Sequence, residues 1–177
     1  GNRTVKVNTE DFEAFKSPNY PILAEAGVNI KYHSKLVIQK NTTLIVHQNL
    51  SNNVGILKLF PGIKESTIES ILKNSKGIII ESFGAGNTPN SKRIINLLNA
   101  ATKEGKIILN ITQCLQGSAI EGKYQTNEPL REAGIICGKD MTTEAAITKL
   151  MFLIGEYNSD KKIRSLLKKD LRGELNC

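Results

Sequence analysis

From Val54 onward, apolar and polar positions fall into regular alternating blocks. Residues 54–60 form an apolar run closed by Pro61-Gly62, which reads as a strand and a turn. Ile68, Ile71 and Leu72 then recur at helical spacing after a capping hydroxyl near Ser66. Residues 78–83 are the next buried strand, and Gly84 and Gly86 open a tight loop behind it. Thr88 followed by Pro89 is a helix start signal, Ile94, Leu97, Leu98 and Ala101 mark the buried face, and Gly105 ends that helix. Residues 106–112 are a third strand, 113–127 a long polar loop, 130–133 a short helical turn and 134–137 a fourth strand. Thr142 or Thr143 caps a helix with Ile147, Leu150, Met151 and Ile154 on one face. Gly155 stops it, and a final helix runs over 160–171.

Strands this apolar, alternating with helices, indicate a parallel sheet covered on both faces. The expected fold is α/β: a small four-stranded parallel, doubly wound (flavodoxin-like) sheet. Ligands of such sheets bind beyond the carboxyl ends of the strands, where Gly84-Ala85-Gly86-Asn87 lies.

The first thirty or so residues break this pattern. They are polar, with Phe12, Phe15, Tyr20 and Ile22 scattered, a turn at Ser17-Pro18-Asn19, and one possible helical turn at Ile22, Leu23 and Ala26. That is too little apolar surface to fold alone. Two short β-like runs follow at 36–38 and 44–47. A first residue that is glycine, opening into polar sequence, fits a segment of a longer chain that packs on something outside this sequence.

Composition narrows the class. The 177 residues suit one full domain with a piece of another. No run approaches the roughly 20 apolar residues of a membrane span, and no charged-then-apolar leader stands at the start. Three cysteines without metal spacing fit a reducing, cytoplasmic setting. The net charge of +7 raises nucleic-acid binding. The cations are dispersed, however, and their one local excess at 161–172 sits on the wet face of the last helix. No aromatic platform accompanies them, so neither nucleic acid nor membrane is an expected partner.

Candidate chemistry is sparse. The Gly84-to-Asn87 loop lacks the third glycine of a dinucleotide fingerprint and the Gly-Lys-Ser/Thr of a phosphate loop. It suits a plain turn or a ligand contact through the Asn87 amide. Cys114 ends the next strand at the same edge with no histidine nearby in sequence, which fits an ordinary thiol. Asp140 and Glu144 are a loop aspartate and a first-turn glutamate that need no functional reason, and nothing in its chemistry singles out Lys6. His33 and His47 fit structural or surface roles.

Taken together, GNRTVK, FEAFKSPNYPILAEAG, GILKLFPG, SFGAGNTPN, NITQCLQGS, AGIICGKDMTTEAAITKL and LRGEL resemble, in order and over nearly the whole chain, the cytoplasmic (type I) bacterial L-asparaginases. The resemblance implies that 1–34 end an N-terminal domain, 35–53 link, and 54–177 form the C-terminal domain. It implies hydrolysis of L-asparagine to L-aspartate and ammonia through a threonine acyl-enzyme, with no metal or organic cofactor. The family's Thr-Gly-Gly-Thr and Gly-Thr-Asp-Thr runs do not occur here, so the chain alone is expected to be inactive. Lys6 matches the relay lysine, and Asn87 matches a substrate-binding asparagine carried toward a neighbouring subunit, which implies a homo-oligomer, dimer or tetramer. A second, regulatory asparagine site in some members corresponds to Val5, Glu81 and Cys114, of which only Cys114 keeps the family residue. A free-standing flavodoxin-like module for a small ligand or for regulation is the alternative from the α/β pattern alone.

Overall fold

The computed structural model describes residues 1–33, 43–89, 91–119 and 128–176. Residues 1–33 hold two small antiparallel pairs: β1 (Val5–Lys6) with β2 (Phe15–Lys16), and β3 (Ala24–Glu25) with β4 (Lys31–Tyr32). The helical turn expected at Ile22, Leu23 and Ala26 does not form. Ala24 and Glu25 face Tyr32 and Lys31 instead, and the His33 amide donates to the Leu23 carbonyl at 2.8 Å. A single helical turn fixes several dihedrals for one hydrogen bond, and the strand pair wins. The β-like run at 44–47 is not a strand but an exposed segment without regular secondary structure, and 36–38 lies outside the described residues.

The main sheet is parallel throughout and keeps chain order: β5 (Val54–Lys58), β6 (Gly77–Ser82), β7 (Ile107–Thr112), β8 (Ile136–Cys137). All twelve residues of β6 and β7 are buried, as an apolar strand inside a two-faced sheet requires. Strands added in one direction through crossovers of one hand put their connecting helices on one face. Accordingly α1 (Glu65–Asn74), α2 (Lys92–Lys103) and α3 (Glu128–Glu132) share a core with Ile78, Ile80 and Ile108. The alternate side chains, Ile79, Ile107, Leu109 and Ile111, point the other way. They meet α4 (Thr143–Glu156) and α5 (Asp160–Leu167) through Ala146, Leu150, Leu153, Ile163 and Leu167.

Several boundaries differ from the sequence expectation, each for a local reason. Helix α1 begins at Glu65 after an extended Lys64 with no side-chain cap, leaving Ser66 inside the first turn. Glu65 supplies the negative charge that a helix start favours. Helix α2 begins at Lys92 and is capped by Ser91, whose hydroxyl accepts from the Ile94 amide, not by Thr88. The preceding residues are committed to a Phe83–Asn87 bridge. Gly155 does not stop α4, which continues to Glu156. A Cβ at Gly155 would lie 2.2 Å from the Asn49 carbonyl oxygen, so the glycine admits the segment crossing the helix.

Helix α5 ends at Leu167, four residues earlier than its apolar pattern indicated, because its end is capped by a buried charge. Lys149, 5% exposed in its side chain, donates to the carbonyls of Leu167 at 3.2 Å and Lys169 at 2.5 Å. Its Nζ also lies 2.5 Å from Oε1 of Glu174, 4% exposed. Glu174 in turn accepts from the amides of Leu171 and Arg172. Burial acts to raise the Glu174 carboxyl, but the Lys149 ammonium and these amides outweigh it and hold it at about 2, against an ordinary 4.5.

A folded value below the unfolded one stabilises the native state above about pH 4.5, and that stability is lost as the pH falls toward 2. Glu174→Gln is expected to cost about 3 kcal/mol at neutral pH, the low end for a broken buried pair, because two carbonyls still solvate the ammonium. The same substitution should flatten the acid limb of stability between pH 4.5 and 2, read by urea denaturation across that range.

Candidate functional site

The carboxyl ends of β6 and β7 carry the buried polar residues Glu81, Ser82, Asn110 and Thr112, and their partners shape the edge. Alternation sends Ser82, Asn110 and Thr112 to the α2 side. Thr112 donates to the Gly84 carbonyl at 2.5 Å, Asn110 to that of Gly86 at 3.4 Å, and Ser82 to that of Ile111 at 2.9 Å. The loop carrying Asn87 is thereby pinned to β7. Its turn needs left-handed backbone at Gly84 (φ 48°) and Gly86 (φ 107°), which explains both glycines. Asn87 is half-buried and joined to Phe83 by two 2.8 Å backbone hydrogen bonds.

Glu81 points to the opposite face, toward α4. Its Oε1 accepts from the hydroxyl of Thr143, the first residue of that helix, at 2.5 Å, and Lys58 lies 3.6 Å from Oε2. A carboxylate there is also favoured by the helix N-terminus. In front of this group lies a cleft of about 130 Å³. Val5 and Lys6 from β1, Thr112 at the end of β7 with residues 113–115 behind it, and Asp140 to Glu144 at the start of α4 line it. The fold therefore gathers Lys6, Val5 and Cys114 into one cleft, with Glu81 tied to its wall through Thr143. Asn87 is not among the residues lining this cleft.

The cleft's hydroxyls are engaged elsewhere. Thr112 donates to Gly84, Thr143 to Glu81, and Thr142 accepts from the Ala145 amide as the α4 cap. Lys6 is exposed, its ammonium 5.9 Å from the centre of the Phe15 ring, and among the described residues no carboxylate lies within ion-pair distance of it. Cys114 is exposed, and its amide donates to the Thr112 hydroxyl. These groups can bind and orient a polar ligand at a sheet edge. A nucleophile–base pair is not assembled among them.

The sequence reading passed over Asp140 as an ordinary loop residue. It is buried, and it receives Arg3 at 2.6 Å. Neighbouring residues mark neither partner: Arg3 lies between Asn2 and Thr4, and Asp140 between Lys139 and Met141. The pairing spans 137 positions, so only the fold reveals it.

Fold and cleft define a parallel α/β domain with a polar cleft at the carboxyl ends of its strands. The chain belongs to the Glutaminase/Asparaginase C-terminal domain family, whose profile matches residues 53–167. Over 99% of its length the chain is 37% identical to L-asparaginase 1 of Escherichia coli, covering 52% of that protein. It is 41% identical, again over 99%, to the 60 kDa lysophospholipase of Mus musculus, covering 32% of it. The crystal structure of L-asparaginase I from Vibrio cholerae superposes with a TM-score of 0.92 at 35% identity, over 99% of this chain and 54% of that one. The chain thus spans about half the length, or less, of these relatives.

Proposed function

We propose that this chain is the C-terminal portion of an L-asparaginase, an amidohydrolase converting L-asparagine to L-aspartate and ammonia. The observation that carries the reading is the similarity to L-asparaginase 1 over 99% of the chain, including the segment ahead of the family domain in which Lys6 lies on the cleft. Residues 1–34 then end an N-terminal domain, 35–53 are the linker, and 54–177 are the C-terminal domain. Exposed Phe12, Phe15, Val28, Ile30, Leu44 and Ile45 support this division, since that much uncovered apolar surface suits packing against a further domain. The enzyme is cytoplasmic, in keeping with three cysteines that show neither close-paired nor metal-type spacing in the sequence.

In this reading the nucleophilic threonine, the second threonine and its aspartate come from the missing domain. Lys6 is the relay lysine that assists the threonine hydroxyl. Its exposure and lack of a carboxylate partner among the described residues fit a group whose partner lies on another segment. Incubated with L-asparagine, the 177-residue chain is expected to release no ammonia. In the intact protein, Lys6→Met should lower kcat by about 100-fold or more with little change in KM, because a relay group acts on the transition state. Turnover by the chain alone, or unchanged kcat in Lys6→Met, would refute these roles. A lysophospholipid belongs in the same assay because of the 41% identical relative, and its preferred hydrolysis would replace the substrate assigned here.

Asn87 contributes to substrate binding in a neighbouring subunit. Its absence from the lining of the Lys6 cleft is in keeping with a site completed across two copies. The intact protein is therefore expected to be a homodimer or tetramer. Light scattering that finds an active monomer would contradict this.

The regulatory asparagine site is lost. Val5 offers no side-chain hydrogen bond, and the Glu81 carboxylate, held by Thr143 and Lys58, places an anion behind the cleft where a ligand carboxylate would need a cation. Little differential affinity is left to shift a conformational equilibrium. Rate against asparagine concentration should be hyperbolic. A Hill coefficient clearly above one, abolished by a bulkier residue at Cys114, would show that the site survives.

A further inference from the structure

Of the two closely buried ion pairs among the described residues, one reaches the short strand that carries Lys6. Arg3, 5% exposed, donates through Nη2 to Oδ2 of Asp140 at 2.6 Å and to the Asn19 carbonyl at 2.7 Å. Its guanidinium lies 5.7 Å from the Tyr20 ring centre. Asp140 also accepts from the amide and side chain of Asn176, at 2.9 and 2.5 Å. Asn19 donates to the Asp140 carbonyl at 3.3 Å and exchanges two 2.9 Å bonds with Gly117. The Asp140 carboxylate thus joins the segment before β1 and the segment after α5 to the start of α4, while Asn19 ties the loop after β7 to the Asp140 backbone.

The backbone is shaped to bury that carboxylate. Lys139 holds φ at 54°, a left-handed conformation that costs a side-chain-bearing residue about 1 kcal/mol. Gly138 packs where a Cβ would lie 2.5 Å from Ile111. The alternative anchorage of Lys6 is slight, because β1 and β2 pair over two residues each, and so small a pair is marginal by itself. Three positions separate Arg3 from Lys6, with buried Val5 between, and Asp140 lines the same cleft as Lys6.

We propose that Asp140 is a positioning residue for Lys6. By holding Arg3 it fixes the residues leading into β1 against the start of α4, and so sets where the Lys6 ammonium stands in the cleft. The inference rests on the relay role assigned to Lys6. A carboxylate that served stability alone would behave like Glu174, which is equally buried, holds Lys149 instead of the β1 segment and is not among the residues lining the cleft.

The test uses the intact protein, with steady-state kinetics on L-asparagine and thermal melting of every variant. Asp140→Asn and Arg3→Gln should each lower kcat about 10–100-fold with KM within about threefold, the signature of lost transition-state stabilisation. Arg3→Lys should recover most of that loss, and the Asp140→Asn/Arg3→Gln pair should lose little more than either alone, as coupled residues do. Glu174→Gln should lower the melting temperature and leave kcat unchanged. A folded Asp140→Asn or Arg3→Gln enzyme with unchanged kcat, or one whose only change is a Glu174-like loss of melting temperature, overturns the proposal. Lys6→Met run in parallel separates the two ideas. If it too leaves kcat unchanged, the relay assignment itself falls. If it alone abolishes turnover, only the positioning role falls.

Discussion

A strand buried on both faces can show polar side chains only near its ends, and that constraint organises this molecule. β6 and β7 are apolar until their last residues, where Glu81, Ser82, Asn110 and Thr112 emerge together. Each buried polar atom needs a partner, because an unpaired one costs about 1–3 kcal/mol. Ser82, Asn110 and Thr112 donate to the Ile111, Gly86 and Gly84 carbonyls, and Glu81 holds Thr143 and Lys58, while Oδ1 of Asn110 has no partner among the described residues. Satisfying the strand ends therefore places both loops and the start of α4. The cleft is a product of the core's own hydrogen-bond requirements.

That same constraint explains what was legible in advance. Continuous apolar runs are strong signals, so the four strands, their parallel order and the two covered faces follow from residues 54–137. Helix interiors were legible for the same reason, through Ile68 and Leu72, Ile94 and Leu98, and Leu150 and Leu153. Helix ends were not, since a cap depends on where the chain must go next. Thr88 and Ser91 are chemically equivalent start signals, and the Phe83–Asn87 bridge decides between them. Gly155 looked like a terminator because sequence cannot show that another segment crosses there.

The charged residues were the least legible part of the candidate site. Lys6 and Cys114 were singled out by resemblance, and the fold brings both to one cleft. Lys149, Glu174, Arg3 and Asp140 carried no local mark, yet all four are buried. Lys149 lies in the middle of an apolar helix face, a position normally read as a solvated interruption. Its role depends on Glu174, which is 25 positions away in sequence and within 2.5 Å in space. Periodicity describes one element at a time, whereas a buried ion pair belongs to two.

Both of these pairs close through the same short segment. Glu174 completes the contact with Lys149, and Asn176, two residues later, completes the contact with Asp140. Residues 174–176 therefore work as a clasp: one short stretch gives the Lys149 ammonium its carboxylate and adds two hydrogen bonds to an aspartate already held by Arg3. A single cut ahead of Glu174 would strip both buried charges of these contacts at once, so the tightness of two distant corners of the domain hangs on three residues.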